Sequence, residues 1–158
     1  MMVEKIVSGG QTGADEAGLI VGKKLGLETG GTMPNGFRTL DGNRPEFAEL
    51  YGVTEHSSWA YPPRTEDNVK NSDGTVRFAA NFNSPGEKCT LKFSHKHAKP
   101  YFDVDIDNPP PIQDFIDWLD INGIKVLNVA GNSERTSPDI EDFVVKFLIQ
   151  ALGGSNES

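Results

Sequence analysis

The sequence predicts an α/β protein: a Rossmann-like three-layer α/β/α domain with a mostly parallel central sheet. Short apolar runs alternate along the chain with segments in which apolar residues recur at helical spacing. Small residues, often glycine or a Ser-Pro pair, stand where a run gives way to a helical segment. Such alternation is typical of βαβ crossovers, whose helices cover both faces of a parallel sheet. Val3–Val7 and Val126–Ala130 are short apolar runs, so we expect both to be interior strands.

The predicted elements begin with the strand at Val3–Val7 and a helix that follows it. Ala14, Ala17 and Val21 share one face of this helix, and Gly26 is placed to end it. The remaining strands are predicted at 75–80, 101–106 and 126–130.

The later helices are marked by their N-termini. Ser84 followed by Pro85 opens a helix, and Glu87 stands three residues after Ser84, as in a capping box. A run of three prolines precedes the next helix, which Gly123 closes. A second Ser-Pro pair, at 137–138, starts the last helix.

We predict one domain over residues 1–152, followed by a flexible tail at 153–158. The length suits a single core and leaves little room for a second one. Residues 28–73 interrupt the regular alternation, because they are rich in Gly, Pro, Asn and aromatic residues and suggest a helix only at 64–70. We therefore predict an irregular insertion here, and connections of this length are usually functional.

Composition excludes several classes of protein. The chain has 158 residues, a formal net charge of −8 and one cysteine, Cys89. An acidic chain without a cluster of Lys and Arg repels duplex phosphates, so we expect no nucleic-acid partner. No stretch approaches the roughly 20 apolar residues that span a bilayer, and no signal peptide is recognisable, so we expect no membrane partner. A lone cysteine fits a reducing compartment, and we expect a cytoplasmic protein.

The stretch VSGGQTGAD, residues 7–15, joins the first strand to the first helix. It matches neither a Walker loop nor G-x-G-x-x-G. Its glycines nevertheless allow a ligand to approach closely, and free N–H groups at a helix N-terminus favour an anion. We expect Thr12 to cap the helix with Asp15 capping back, and Gly10→Val to abolish binding without disturbing the fold. The alternative is that the glycines only form a tight turn.

Two later junctions, NSPGEKCT at 83–90 and AGNSERTSPDI at 130–140, are also rich in small residues. In a parallel sheet all three junctions lie at the carboxyl ends of strands, where open α/β folds bind ligands. We therefore predict a composite pocket for a small anion or a nucleotide-like molecule. Arg64, from the insertion, can hold a phosphate or another oxyanion through two parallel hydrogen bonds. The predicted ligand-binding residues are Ser8, Gly9, Gly10, Gln11, Thr12, Gly13, Asp15, Arg64, Ser84, Pro85, Gly86, Thr90, Gly131, Asn132, Ser133 and Glu134.

We predict no metal site. Asp103, Asp105 and Asp107 alternate, but the segment lacks the glycine of a calcium loop and three prolines follow it. His95 and His97 point to different sides of a predicted helix, which does not suit zinc.

The aromatic residues of the insertion leave two roles open. Trp59 and Tyr61 can stack on a ligand ring, or they can hold the insertion against the rest of the domain. For Asn68, four residues after Arg64, we favour a structural role.

Five pieces of sequence carry a family resemblance: IVSGGQTGAD (6–15), TGGTMPNG (29–36), RTEDNVKNSDGT (64–75), KPY (99–101) and LNVAGNSE (127–134). With them the chain resembles the putative molybdenum carrier family, which is related to the Rossmann-like lonely-guy phosphoribohydrolases and the DNA-processing protein A group. The resemblance implies a Rossmann-like domain, an oligomer, and a pocket where the first Gly-rich loop meets the later ones. It also implies molybdate or a molybdenum cofactor as a ligand, which the residues themselves do not identify.

The chain departs from the family's pattern at two places. Glu16 stands where a basic residue is usual, which weakens the case for a strongly anionic ligand. At 84–90 the chain reads SPGEKCT, and Pro85, Gly86 and Thr90 align with the phosphoribohydrolase motif whereas the glutamate of that motif has no counterpart. A hydrolase that uses this glutamate on an N-glycosidic bond would lose its general acid or base here.

Two hypotheses therefore stay open. In the first, the chain is a carrier or binding domain for a small anion or a nucleotide-like ligand. In the second, it is a nucleotide-processing enzyme of the phosphoribohydrolase type, with Asp15 or Glu134 as acid or base and Arg64 on phosphate. The missing motif glutamate favours the first hypothesis.

We also expect a homodimer. The resemblance implies an oligomer, and exposed apolar residues of the insertion, Phe47, Trp59 and Tyr61, would suit a self-complementary patch.

Overall fold

The computed structural model describes residues 3–153. In chain order its strands are β1 (Lys5–Val7), β2 (Glu28–Gly30), β3 (Thr32–Met33), β4 (Arg38–Thr39), β5 (Gly42–Asn43), β6 (Thr54–Glu55), β7 (Gly74–Ala79), β8 (Tyr101–Asp105) and β9 (Val126–Gly131). Its helices are α1 (Ala14–Lys24), α2 (Glu46–Tyr51), α3 (Tyr61–Lys70), α4 (Pro85–Lys96), α5 (Ile112–Asn122) and α6 (Ile140–Leu148), and a π-helix at Ile149–Gly153 continues α6. Residues 154–158 of the predicted tail lie outside the described residues.

The central sheet has five strands in the order β2-β1-β9-β7-β8. Each neighbouring pair is parallel, so the predicted Rossmann-like α/β fold is confirmed. β9 follows the other four strands in the chain, yet it lies between β1 and β7. Both strands that we expected to be interior, β1 and β9, are interior, and every residue of β7, which pairs with β9, is buried.

Helices cover the sheet because their apolar faces match the buried faces of the strands. Residues of α1, α5 and α6 share one core with the sheet, in which Phe78 of β7 stacks edge-on against Phe147 of α6. The helices α3 and α4 pack against each other, and α4 also contacts β7 and β9. Across residues 3–153 no helix is both long and apolar enough to cross a membrane.

The segment at 28–73 is more regular than we predicted. It contributes β2 to the main sheet, the parallel pair β3–β6, the antiparallel pair β4–β5, and the helices α2 and α3. The helix suggested at 64–70 is confirmed and begins earlier, at Tyr61. A second small core of Leu19, Met33, Phe47 and Val53 attaches the segment to α1.

Phe47 corrects one expectation about the surface of this segment. We expected its side chain to be exposed, but only 1% of it is accessible, because it packs edge-on against Tyr51 within the second core. Trp59 is 69% exposed.

Candidate functional site

The carboxyl ends of β1, β9 and β7 lie side by side, so the loops that follow them meet. Asn132, after β9, joins all three. Its backbone oxygen accepts from Ala14 N at 3.2 Å, and its side-chain Oδ1 accepts from Ala80 N at 3.1 Å and Asn81 N at 3.2 Å. Thr12 adds a further link, because its hydroxyl accepts from Glu134 N at 3.3 Å.

A cavity of about 330 Å³ opens above these loops and between α3 and α4. Ten of the predicted site residues line it: Gly9, Gln11, Asp15, Arg64, Ser84, Pro85, Gly86, Thr90, Gly131 and Ser133. Six do not: Ser8, Gly10, Thr12, Gly13, Asn132 and Glu134. Ten lining residues lie outside the predicted list: Leu40, Tyr61, Pro62, Thr65, Asn68, Glu87, Cys89, Asn128, Ala130 and Thr136.

The first Gly-rich loop bonds several of the N–H groups that we expected to be free. Gly10 N donates to Ser8 Oγ at 3.2 Å and Thr12 N donates to the side chain of Gln11 at 2.9 Å. Ala14 N is bonded to Asn132 O, and Glu16 N donates to Gln11 O at 3.0 Å. These donors are therefore satisfied within the protein.

The cap predicted for α1 is also wrong. Its N-cap residue is Gly13, with φ of 86°, and no side chain caps the helix. Thr12 lies one residue too early to reach the first turn, and its hydroxyl bonds to the loop after β9 instead.

The glycines of this loop serve close packing. A Cβ on Gly9 would collide with the Arg64 guanidinium, and one on Gly10 would lie 2.6 Å from Met33 Sδ. A Cβ on Gly13 would lie 2.7 Å from Glu134 N. Gly10, with φ of +68°, thus faces the second core rather than the cavity, and Gly10→Val would disturb the fold, contrary to our expectation.

Asp15 occupies the position that the sequence suggested for an anion. The backbone N–H groups of Gln11 and Gly131 face its carboxylate and favour its ionised form. Its Oδ2 also lies 3.4 Å from Arg64 Nη1. Burial raises the pKa of Asp15 to about 7, the nearby Glu87 carboxyl raises it as well, and Arg64 and the two N–H groups oppose the rise. At neutral pH this carboxyl can therefore both release and accept a proton.

Glu87 is a second buried carboxyl in the same cavity. Its Oε2 accepts from Ser84 Oγ at 2.9 Å and from Asn132 Nδ2 at 2.8 Å, and the residue lines the cavity. Burial raises its pKa, while Ser84 and Asn132 oppose the rise. Glu87 N also contacts Ser84 Oγ at 3.5 Å, so the predicted capping contact is confirmed.

Arg64 is the one Lys or Arg among the described residues that line the cavity. Its guanidinium lies across Gly9, where the missing side chain makes room for it, and 5.3 Å from the centre of the Tyr61 ring. The side chain is 12% exposed. Its Nε is buried and has no hydrogen-bond partner within residues 3–153. Arg64 therefore retains a donor that its described neighbours do not use.

Glu134 has a structural role. Its carboxylate accepts from Asp139 N at 2.6 Å and from Glu141 N at 3.1 Å, at the start of α6. The structure thus places this predicted ligand-binding residue at a helix terminus, where a carboxylate stabilises the exposed N–H groups.

The contacts of Asn68 support the structural role that we favoured. Its side chain accepts a hydrogen bond from Thr32 N at 2.8 Å and donates one to Thr32 O at 2.9 Å. It also lines the cavity.

At the surface nearby, the Arg38 guanidinium lies 4.1 Å from the Tyr61 ring centre and 5.1 Å from that of Trp59. Arg38 thereby occupies ring faces that we had left open for a ligand.

No group of three or more His, Cys, Asp or Glu side chains within residues 3–153 is placed to hold a metal ion. Asp103, which we considered as a calcium ligand, forms a two-bond ion pair with Arg77.

Comparison with known proteins gives a family and a close structural relative. Residues 6–152 match the circularly permutated YpsA SLOG family. The crystal structure of a putative molybdenum carrier protein from Syntrophus aciditrophicus SB is 34% identical, with a TM-score of 0.87 over 95% of each chain. The resemblance to the putative molybdenum carrier family is thereby confirmed.

A second solved structure, that of (E)-4-hydroxy-3-methyl-but-2-enyl diphosphate reductase, is 12% identical over 95% of this chain and 60% of that chain. Its TM-score of 0.39 is too low to indicate a shared fold. No curated protein matches the chain.

Proposed function

This chain belongs to the circularly permutated YpsA SLOG family, and we propose that its cavity binds a nucleotide-like organic anion. The observation that carries this proposal is the pairing of one guanidinium, on Arg64, with two buried carboxyls, on Asp15 and Glu87, in one cavity. A ligand that suits both kinds of group has an anionic part and several hydroxyl donors.

The cavity lining suits the three parts of such a ligand. Arg64 lines the cavity, and its guanidinium can donate to a phosphate; a hydrogen bond to a charged group contributes about 1.5–3 kcal/mol. The carboxyls of Asp15 and Glu87 can accept hydrogen bonds from ribose hydroxyls. Apolar contacts with a ring are available from Leu40 and Pro62. A volume of about 330 Å³ is at the lower end of the range for small-molecule sites.

Free molybdate fits the same lining less well. Two backbone N–H groups that would suit an oxyanion, those of Gln11 and Gly131, already face the Asp15 carboxylate. Glu87 adds a second carboxyl, and two carboxylates repel a doubly charged anion. An organic ligand that places its charge at Arg64 and its hydroxyls at the carboxyls avoids this repulsion.

A second candidate function is hydrolysis of an N-glycosidic bond in a nucleotide. It is favoured by the pKa of about 7 of Asp15, since general acids and bases work best near the ambient pH. Glu87 replaces Glu134 as the second carboxyl in this hypothesis, because Glu134 lies at the start of α6. Release of free base from AMP or GMP at pH 7, lost in Asp15→Asn, would support catalysis. Absence of release with tight binding would leave a binding protein.

Calorimetric titration with AMP, GMP, phosphate and molybdate tests the proposed ligand class. We expect a nucleotide to bind more tightly than either inorganic anion, and Arg64→Ala to weaken its binding by about 1.5–3 kcal/mol. Arg44→Ala is the matched control, because Arg44 forms its ion pairs with Glu16 and Glu46, outside the cavity lining. Binding of molybdate alone would contradict the proposal.

We further propose that the chain forms a homodimer through the surface around Trp59, the largest exposed aromatic side chain of the insertion. Light scattering at micromolar concentration tests this, and a particle of 17.2 kDa would contradict it.

A further inference from the structure

Behind the first turn of α4, away from the cavity, lies a buried arginine that the proposed function does not use. We infer that Arg77 is a positioning residue: it holds the first turn of α4, and with it the Glu87 carboxyl, at the cavity, while Asp103 balances its charge. The inference rests on the proposed function, since it concerns one of the two carboxyls that face the ligand.

Three hydrogen bonds fix the Arg77 guanidinium. Its Nε and Nη2 donate to the two carboxylate oxygens of Asp103, both at 2.7 Å. Its Nη1 donates to the backbone oxygen of Glu87 at 2.8 Å. Arg77 and Asp103 are direct partners in the register of β7 and β8, so the sheet itself sets the geometry of the pair. A guanidinium with two bonds to one carboxylate and a third to a carbonyl has a fixed orientation.

The surroundings of Arg77 restrict its movement. Only 3% of the residue is accessible, and its guanidinium lies 5.0 Å from the Phe82 ring centre and 5.5 Å from that of Tyr101. The turn that it holds supplies Ser84, Pro85 and Gly86 as well as Glu87 to the cavity.

A cation at this place has an electrostatic consequence. Positive charge near a helix N-terminus is unfavourable to the helix dipole, so helix stability alone does not explain Arg77. Burial raises the pKa of Glu87 and the hydrogen bonds from Ser84 and Asn132 lower it; the charge of Arg77 lowers it further, as does that of Arg64. The Asp15 carboxyl in the same cavity is a further titratable neighbour. Asp103, bonded to the Arg77 guanidinium, reduces the influence of that charge. The pair therefore both places the carboxyl and tunes its charge.

The test follows the Glu87 carboxyl by carbon-13 NMR as the pH of the ligand-free protein is changed. Arg77→Met should raise the titration midpoint of Glu87 by about 0.5–1 pH unit, because a neighbouring opposite charge is lost. Asp103→Asn should lower it, because Arg77 is then unbalanced. Arg77→Lys retains the charge and should stay closer to the wild type. Asp105→Asn makes the same charge change on the same strand without contacting Arg77, and should leave the midpoint in place.

Opposite shifts in the first two variants support the inference. Shifts in the same direction, or none in either, would overturn it, because loss of packing alone does not depend on the sign of the charge removed. If Arg77→Met does not fold, the direction of the shift in Asp103→Asn decides. AMP affinity of each folded variant is measured separately. Failure of the wild type to bind AMP or GMP would refute the proposed ligand class without altering the NMR result.

Discussion

Two helix starts on the same edge of the sheet differ in what they present to the cavity. The loop before α1 has three glycines, but they serve close packing, and most of its N–H groups are bonded within the protein. The first turn of α4 has a single glycine, Gly86, and a Cβ there would meet nothing within 4 Å. Glycine content therefore identifies the tightly packed loop, whereas the polar side chains at the start of α4 identify the open one.

Replacing a glycine by alanine at each of the two helix starts should give the largest difference in the free energy of unfolding. Gly10→Ala forces a Cβ against Met33 in a left-handed conformation, and we expect a loss of about 3 kcal/mol or more in the free energy of unfolding. Gly86→Ala should be neutral or stabilising by up to about 1 kcal/mol. Chemical denaturation of both variants checks this, and equal losses would remove the distinction between the two loops.

The Asp15 carboxyl, beside the first loop, should make the free energy of unfolding depend on pH. The folded-state pKa of Asp15, about 7, lies above its ordinary value of 3.8. Its contribution is thus fully present below pH 4 and is lost as the pH rises through 7. From pH 5 to pH 8 the wild type should lose about 2–3 kcal/mol more than Asp15→Asn.

Denaturant titrations at the two pH values measure this difference. Asp107→Asn, at an exposed position, is the control and should follow the wild type. If Asp15→Asn also follows the wild type, the carboxyl is ionised throughout and is not a proton carrier at neutral pH.

The smallest effect is expected at Glu134, which sequence reasoning assigned to the site. Glu134→Gln should change AMP affinity by less than about twofold, and should lower stability by about 0.5–1 kcal/mol through the start of α6. Calorimetry and thermal unfolding measure the two quantities. A tenfold change in affinity would place Glu134 in the binding site after all.

Four of the five strands of the main sheet, β1, β7, β8 and β9, could be predicted, because they are short runs rich in apolar residues and bounded by helix signals. Gly74–Ala79 is buried along its whole length, and such a run is recognisable without knowledge of its neighbours. The strands at 28–73 are only two or three residues long, too short for any periodicity. Their positions depend on tertiary contacts such as Gln11 Oε1 with Leu40 N, 2.9 Å apart and 29 residues distant in sequence.

The residues that line the cavity divide in the same way, into those that local motifs predict and those that depend on tertiary contacts. Asp15, Arg64 and Ser84 could be predicted from local motifs. Glu87 was recognised only as part of a cap, because its contact with Asn132 spans 45 residues. A signal was available for Asn128, a polar residue within the otherwise apolar β9; its side chain bonds to Thr75 Oγ1 at 3.1 Å and it lines the cavity.

The central position of β9 has a consequence for how the chain acquires its structure. During synthesis β1 and β7 emerge long before the strand that must pair with both of them. Until residues 126–131 leave the ribosome, each has an unpaired edge, and Gly131 and Ser133 cannot yet contribute to the cavity wall. Contacts between residues so distant in sequence make folding slow, and unpaired edges favour aggregation. We therefore expect the nascent chain to be most prone to aggregation before its last strand is inserted.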